Sequence, residues 1–185
     1  MKDVIILLVG ESGSGKTTVA NLLEEKYGLK SLSSYTTRPK RNPNETGHTF
    51  VTDEEFDQLK DICAYTEFNG YRYCATSEQV DNSDVYVIDV AGIDYFKEHY
   101  KGDKVPLVIY ITVDTEVRRD RMLYRGDSPE QAEERIQNDL KEFFNILSRA
   151  NIMIRNISIR QTVEEIMNEY SIMKYEVNHN NSANS

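Results

Sequence analysis

The residues with the most chemical content stand near the start of the chain. Gly10-Glu11-Ser12-Gly13-Ser14-Gly15-Lys16-Thr17 fits the pattern G-x-x-x-x-G-K-[ST]. Glycines let successive backbone N–H groups curl around phosphate oxygens, and the start of a helix adds partial positive charge. Lys16 reaches the outer phosphates of a nucleoside triphosphate, and Thr17 is the expected protein ligand of Mg2+. The donor-binding set on this reading is Gly10, Glu11, Ser12, Gly13, Ser14, Gly15, Lys16, Thr17 and Thr18. The Asn-Lys-x-Asp tetrapeptide by which GTPases read guanine does not occur, so the loop points to ATP.

Two basic clusters follow. Arg38, Lys40 and Arg41 sit in Tyr35-Thr36-Thr37-Arg38-Pro39-Lys40-Arg41, where hydroxyls surround a planar guanidinium suited to phosphate. Spacing alone leaves a solvated basic loop equally open. Arg118, Arg121 and Arg125 recur along one helical face, with Arg135 further on. Phosphoryl transfer rests on positioning and on cations that offset charge on the transferred group, so arginines on a closing segment are one reading. Pairing with Asp114, Glu116, Asp120, Glu130, Glu133 and Glu134 on exposed helices is the other.

The elements that must position these groups alternate. Asp3 to Val9 is a continuous apolar run of strand length, suited to a parallel strand covered on both faces. Thr17 to Tyr27 has helical spacing and ends at Gly28 as a C-cap. Strands are expected at 29–33, 85–89, 105–113 and 152–159, and helices at 116–124, 129–147 and 163–173, with Ser128-Pro129 as cap and first turn. This is the pattern of an α/β doubly wound parallel sheet, a P-loop NTPase core. The polar stretch from Tyr35 to Asp84, with a strand pair around Asn69-Gly70, interrupts it as a small inserted lobe. The Asn/Ser-rich end, Asn178 to Ser185, is predicted to be a disordered tail.

Composition limits the partners. With 185 residues, 39% of them hydrophobic, one compact domain is expected. A net charge of −9, from 22 basic and 31 acidic residues, argues against nonspecific nucleic-acid binding. No segment reads as a membrane span or a secretion signal, so a cytoplasmic protein without membrane partners is expected. Cys63 and Cys74 lack metal-site spacing and read as reduced, buried thiols, and the three histidines are scattered.

The order of these motifs resembles the guanylate kinase family. The phosphate loop is followed by Ser33-Ser34-Tyr35-Thr36-Thr37-Arg38-Pro39-Lys40-Arg41, then Gly47 and Phe50-Val51-Thr52-Asp53-Glu54-Glu55-Phe56. Asn69-Gly70-Tyr71-Arg72-Tyr73, Ile88-Asp89-Val90-Ala91-Gly92 and the Arg121/Arg125 pair continue in register. The resemblance implies a Mg2+-dependent kinase that moves a phosphoryl group from ATP to a nucleoside monophosphate, with GMP or dGMP as the default acceptor. It implies one domain over 1–175: core 1–34 and 84–175, acceptor lobe about 35–83, lid about 121–136, tail 176–185. It makes Lys16, Arg38, Arg125 and Arg135 catalytic, and Ser34, Arg38, Arg41, Tyr73 and Asp89 the acceptor site. It also puts Asn156 near the donor adenine. Monomer and homodimer both remain open.

Departures from the family pattern cluster on the base. The glutamate that reads guanine falls at Ala64, and a small hydroxyl residue falls at Ala75. Glu67 lies an odd offset away and should face the other side of the strand. A strong preference for GMP would require Thr76, Glu67 or Tyr35 to replace the missing base contacts, with His48 or Thr49 as candidates to replace a tyrosine that touches phosphate. A kinase for another base or another phosphorylated small molecule, and a non-catalytic binding module, are the rival readings.

Overall fold

A computed structural model describes residues 3–40, 43 and 45–180. The core is a four-stranded parallel sheet in the order β6-β1-β7-β8, with β1 Val4–Val9, β6 Val85–Val87, β7 Val105–Thr112 and β8 Ile152–Arg155. Every side chain of β1 is fully buried, which explains its unbroken apolar run. Ile5, Leu7 and Val9 face a cluster with Ile88, Ile93 and Phe96, the last two from α4 (Val90–His99). Val4, Ile6 and Leu8 face Val19 and Leu23 of α1 (Lys16–Tyr27), with Val163 and Ile166 of α7 (Ile159–Asn180). Burial of each such side chain contributes about 1.5–3 kcal/mol, so the strand that carries the phosphate loop is the most firmly held in the molecule.

The inserted lobe is a second sheet, β3-β2-β5-β4: β2 Ser34–Thr36, β3 His48–Phe50, β4 Ile62–Phe68 and β5 Tyr71–Thr76. β4 and β5 form the hairpin expected from Asn69-Gly70, and both turn residues have positive φ, 50° and 76°. Two short helices, α2 Asp53–Asp57 and α3 Ser77–Asp81, begin in capping boxes on Thr52/Glu55 and Thr76/Gln79. Helices α5 Thr115–Tyr124 and α6 Pro129–Glu142 pack on each other through Met122, Ala132 and Ile136. Ser128 caps α6 in a third capping box.

Three expectations change. The run 29–33 is no strand: Ser31 makes an isolated bridge to Val85, and the strand forms later, at Ser34, where the chain joins the lobe sheet. The expected helix to Leu147 stops at Glu142, followed by a 3-10 turn, Ile146–Ser148. The last helix continues through Asn180, so 176–180 is helical rather than tail, while 181–185 lie outside the described residues. Cys63 and Cys74 are free and buried, and burial pushes their thiols up to about 11 and about 12. No helix among the described residues is long and apolar enough to cross a membrane.

Candidate active site

Between β1 and α1 the chain turns on Gly13 (φ 78°) and Gly15 (φ 101°), backbone that L side chains rarely adopt. Gly10 meets a different constraint, because a Cβ there would lie 2.2 Å from the backbone oxygen of Ile111. Lys16 Nζ donates to the carbonyls of Gly10 (2.5 Å) and Glu11 (3.0 Å). Burial lowers its pKa from 10.5 to about 8, against the opposing pull of Asp139, Glu11 and Glu142. Thr17 and Thr18 are exposed beside it and line the same cleft.

Asn156, expected near the donor adenine, is fastened to the phosphate loop. It is 2% exposed behind the loop; its Nδ2 donates to Ser14 O at 2.8 Å, and its Oδ1 accepts from Thr162 Oγ1 at 3.1 Å. Both ends of the amide are engaged, and its task is to hold the loop. A second brace comes from α5 and α6. Arg118 Nη2 donates to Asp139 Oδ2 at 2.6 Å and Arg118 Nε to Ser12 O at 3.0 Å, while Ser12 N donates to Asp139 Oδ2 at 3.0 Å. Glu11 is buried beside them, 3.6 Å from Arg118, and accepts from the Tyr110 hydroxyl at 2.5 Å. Burial raises the Asp139 pKa even so.

A second cleft opens between the core and the lobe. Ser34, His48, Thr66 and Tyr73 line its lobe side, and Ser12, Lys16, Tyr86, Asp89, Arg135 and Glu142 its core side. Asp89 caps α4, accepting from Gly92 N at 2.6 Å, and burial raises its pKa. Ser34 Oγ lies 3.0 Å from His48 Nδ1, and the His48 ring packs edge-on against Tyr73 at 5.7 Å. Arg38 is 8% exposed; its Nη2 donates to Glu45 at 2.7 Å and its Nη1 to Pro39 O at 2.9 Å, while Nε is buried without a partner. Arg41 lies outside the described residues.

The arginines of α5 and α6 separate into distinct tasks. Arg118 is the buried brace. Arg121 Nη1 donates to the carbonyls of Gly13 and Ser14. Arg125 and Arg135 line the phosphate-loop cleft with Arg121, and both pair with Asp127. Arg119, joined to Glu133 at 3.0 Å, fits the plain ion-pair reading of exposed helices.

A family model described as an AAA domain matches residues 6–142. The guanylate kinase of Anaplasma phagocytophilum (strain HZ) is 31% identical over 179 residues, 89% of this chain and 84% of its own length. The chain belongs to the guanylate kinase family and carries an AAA domain. Guanylate kinase from Helicobacter pylori (strain ATCC 700392 / 26695) is 29% identical over 176 residues, 88% of this chain and 84% of its own. A solved guanylate kinase from Anaplasma phagocytophilum superposes with a TM-score of 0.66 at 24% identity, covering 94% of this chain and 87% of the other. Family membership makes the protein a nucleoside monophosphate kinase.

Ala64 and Ala75 face each other across the β4–β5 ladder and are fully buried. None of the three candidate replacements reaches the cleft. The Thr76 hydroxyl is spent capping α3, Tyr35 lines a separate groove, and Glu67, opposite Arg72 on the far face, accepts from the Tyr65 hydroxyl. Of the two candidates for the phosphate end, His48 lines the cleft and Thr49 turns outward onto Ser33 O. The residues missed from the sequence are Thr66, Tyr86 and Asp139, while Arg118, read there with the arginines of a closing segment, is the buried brace. Only Thr66 left a usable signal: it lies two positions after Ala64, on the same face of a strand.

Proposed function

We propose that the protein transfers the γ-phosphoryl group of ATP to a nucleoside monophosphate, with GMP or dGMP the acceptor that the family relationship supports. The observation that carries this is that Ser12, Lys16 and Arg135 line both clefts. A donor in the phosphate loop and an acceptor in the lobe therefore meet at one lysine and one arginine. Backbone N–H groups of the loop bind the donor's phosphates, and Lys16 exchanges its contacts with Gly10 O and Glu11 O for phosphate oxygens. Arg121, Arg125 and Arg135, on the lid segment about 121–136, offset charge on the group in flight. Arg38, Arg41 and Tyr73 hold the acceptor's phosphate, and Arg38 reaches it by exchanging Glu45 for the more highly charged anion.

Among the described residues, no group of three or more His, Cys, Asp or Glu side chains could hold a metal ion. Mg2+ keeps waters and phosphate oxygens and needs few protein ligands; Thr17, exposed at the loop, would hold it, and Asp89, which lines the cleft with Lys16, would bond its hydration shell. Bound there, Mg2+ neutralises charge on the donor's outer phosphates. The test is ADP formation from ATP and Mg2+ with GMP, dGMP, IMP, AMP, CMP, UMP and dTMP, for the wild type and Lys16→Ala. Turnover with at least one monophosphate, abolished by Lys16→Ala, is expected. Turnover that survives Lys16→Ala, or no turnover with any acceptor, overturns the reading.

A further inference from the structure

Lobe and core meet across the acceptor cleft, and side-chain hydroxyls make the joint. Thr66 stands on β4, opposite Tyr73 of β5, and lines the cleft from the lobe. Asp89 lines it from the core, at the start of α4. The Thr66 hydroxyl donates to the Asp89 carboxylate. From the other side Gly92 N donates to Asp89 Oδ1 at 2.6 Å, and a Cβ at Gly92 would lie 2.9 Å from that oxygen, so the glycine is what lets the carboxylate sit this close. One donor from the lobe and one from the core therefore fix its orientation. The nearby hydroxyl of Ser34 is engaged elsewhere: it lies 3.0 Å from His48 Nδ1 and bonds the Tyr86 hydroxyl. Asp89 needs this hold, because Lys16 attracts it and Glu142 repels it. With Gly92 N as its one donor, the carboxylate could turn about its last side-chain bond, where the torsional wells are broad.

We propose that Thr66 is a positioning residue: its hydroxyl, reaching from the lobe, aims the Asp89 carboxylate of the core into the acceptor cleft. The inference rests on the proposed kinase reaction, in which Asp89 serves that cleft, and adds the group that orients it. Thr66 does this without touching substrate. A hydrogen bond to a charged group is worth about ten- to a hundredfold in an equilibrium, and its loss here falls on whatever Asp89 must meet. Valine at this position keeps the branched shape that suits a strand and removes the donor. Serine keeps the donor and removes a methyl group.

The experiment measures kcat/KM for GMP with saturating ATP and Mg2+, and Kd for GMP and for ATP by calorimetry. The proteins are the wild type, Thr66→Val, Thr66→Ser, Asp89→Ser and the double variant Thr66→Val with Asp89→Ser. Serine at position 89 can still cap α4 but offers Thr66 no carboxylate, and melting curves check that each variant is folded. Thr66→Val should lower kcat/KM for GMP by about tenfold or more, and the loss should fall on GMP more than on ATP, whose phosphate-loop cleft neither residue lines. Thr66→Ser should recover most of it. In the Asp89→Ser background Thr66→Val should cost less than about twofold, because a residue that acts through Asp89 has nothing left to aim. An unchanged kcat/KM for GMP in Thr66→Val, a Thr66→Ser enzyme as impaired as Thr66→Val, a loss shared equally by GMP and ATP, or effects that multiply in the double variant each overturn the inference while the kinase reading stands. Absence of turnover in the wild type fails the kinase reading instead, and calorimetry with GMP runs the same cycle without turnover, so the two failures are told apart.

Discussion

Arg118→Ala tests the brace beneath the phosphate loop. The side chain is 3% exposed, and its loss removes a 2.6 Å bond to Asp139 and a 3.0 Å bond to Ser12 O. Asp139, 6% exposed, keeps only its bonds from Ser12 and loses its cation. Breaking a buried pair from one side costs about 3–5 kcal/mol, a large share of the roughly 5–15 kcal/mol that holds a domain together. For a chain of this size that is a fall in Tm of about 10 °C. The pH dependence has a definite sign. Burial already raises Asp139 above its ordinary 3.8, so the native state binds this proton more readily than the unfolded state does. Removing Arg118 raises it further. The deficit is therefore full above the variant's raised folded pKa, shrinks as pH falls through it, and is gone below 3.8, where the carboxyl is neutral in both states. Urea titration of both proteins at about pH 8 and about pH 5 reads it. A cost below about 1 kcal/mol, or a deficit that grows on acidification, refutes the account of a buried, functional brace.

Other perturbations follow from single contacts. Lys16 carries a pKa lowered to about 8, so kcat/KM for ATP should fall as pH rises through about 8 and the lysine loses its charge. A profile flat to about pH 10 would contradict its role as the phosphate cation. Asn156→Ala removes the 2.8 Å bond to the Ser14 carbonyl, leaving it the 3.3 Å bond from Arg121, and takes the acceptor from the buried Thr162 hydroxyl, at about 1–3 kcal/mol; donor KM should rise more than acceptor KM, and the reverse would point to substrate contact by Asn156. Gly10→Ala drives a Cβ into Ile111 O, and since backbone must move, ATP binding measured by calorimetry should be lost.

What was legible in the sequence was what neighbours in the chain enforce. The phosphate loop, the Asn69-Gly70 hairpin and the Ser128 cap each depend on residues within a few positions, where turn geometry or a cap leaves few choices. The opposite face of Glu67 was legible too, because side chains alternate along a strand. What was not legible depends on contacts across the fold. Asn156 reaches Ser14 over 142 positions. Arg118 shares a helical face with Arg121 and Arg125, yet burial against Asp139 makes it structural while Arg125 stays in the cleft. The strands β2 and β3 are three residues long and exist because each completes the other's ladder, so no local pattern announces them.

The brace also limits how a lid can close. Arg118, at the start of α5, and Asp139, near the end of α6, are both fastened to Ser12, so neither helix can swing away without dismantling the loop that binds the donor. Arg125 and Arg135 lie beyond those anchors, on either side of Gly126, whose φ of 104° suits a bend and whose Cβ position meets nothing within 4 Å. A lid that closed would have to bend between those anchors, in the segment that carries Gly126. Such a bend would move Arg125 and Arg135 along the cleft they already line with Lys16, while the phosphate loop keeps its shape. A lid anchored in this way acts on the transferred group and leaves the donor site preorganised.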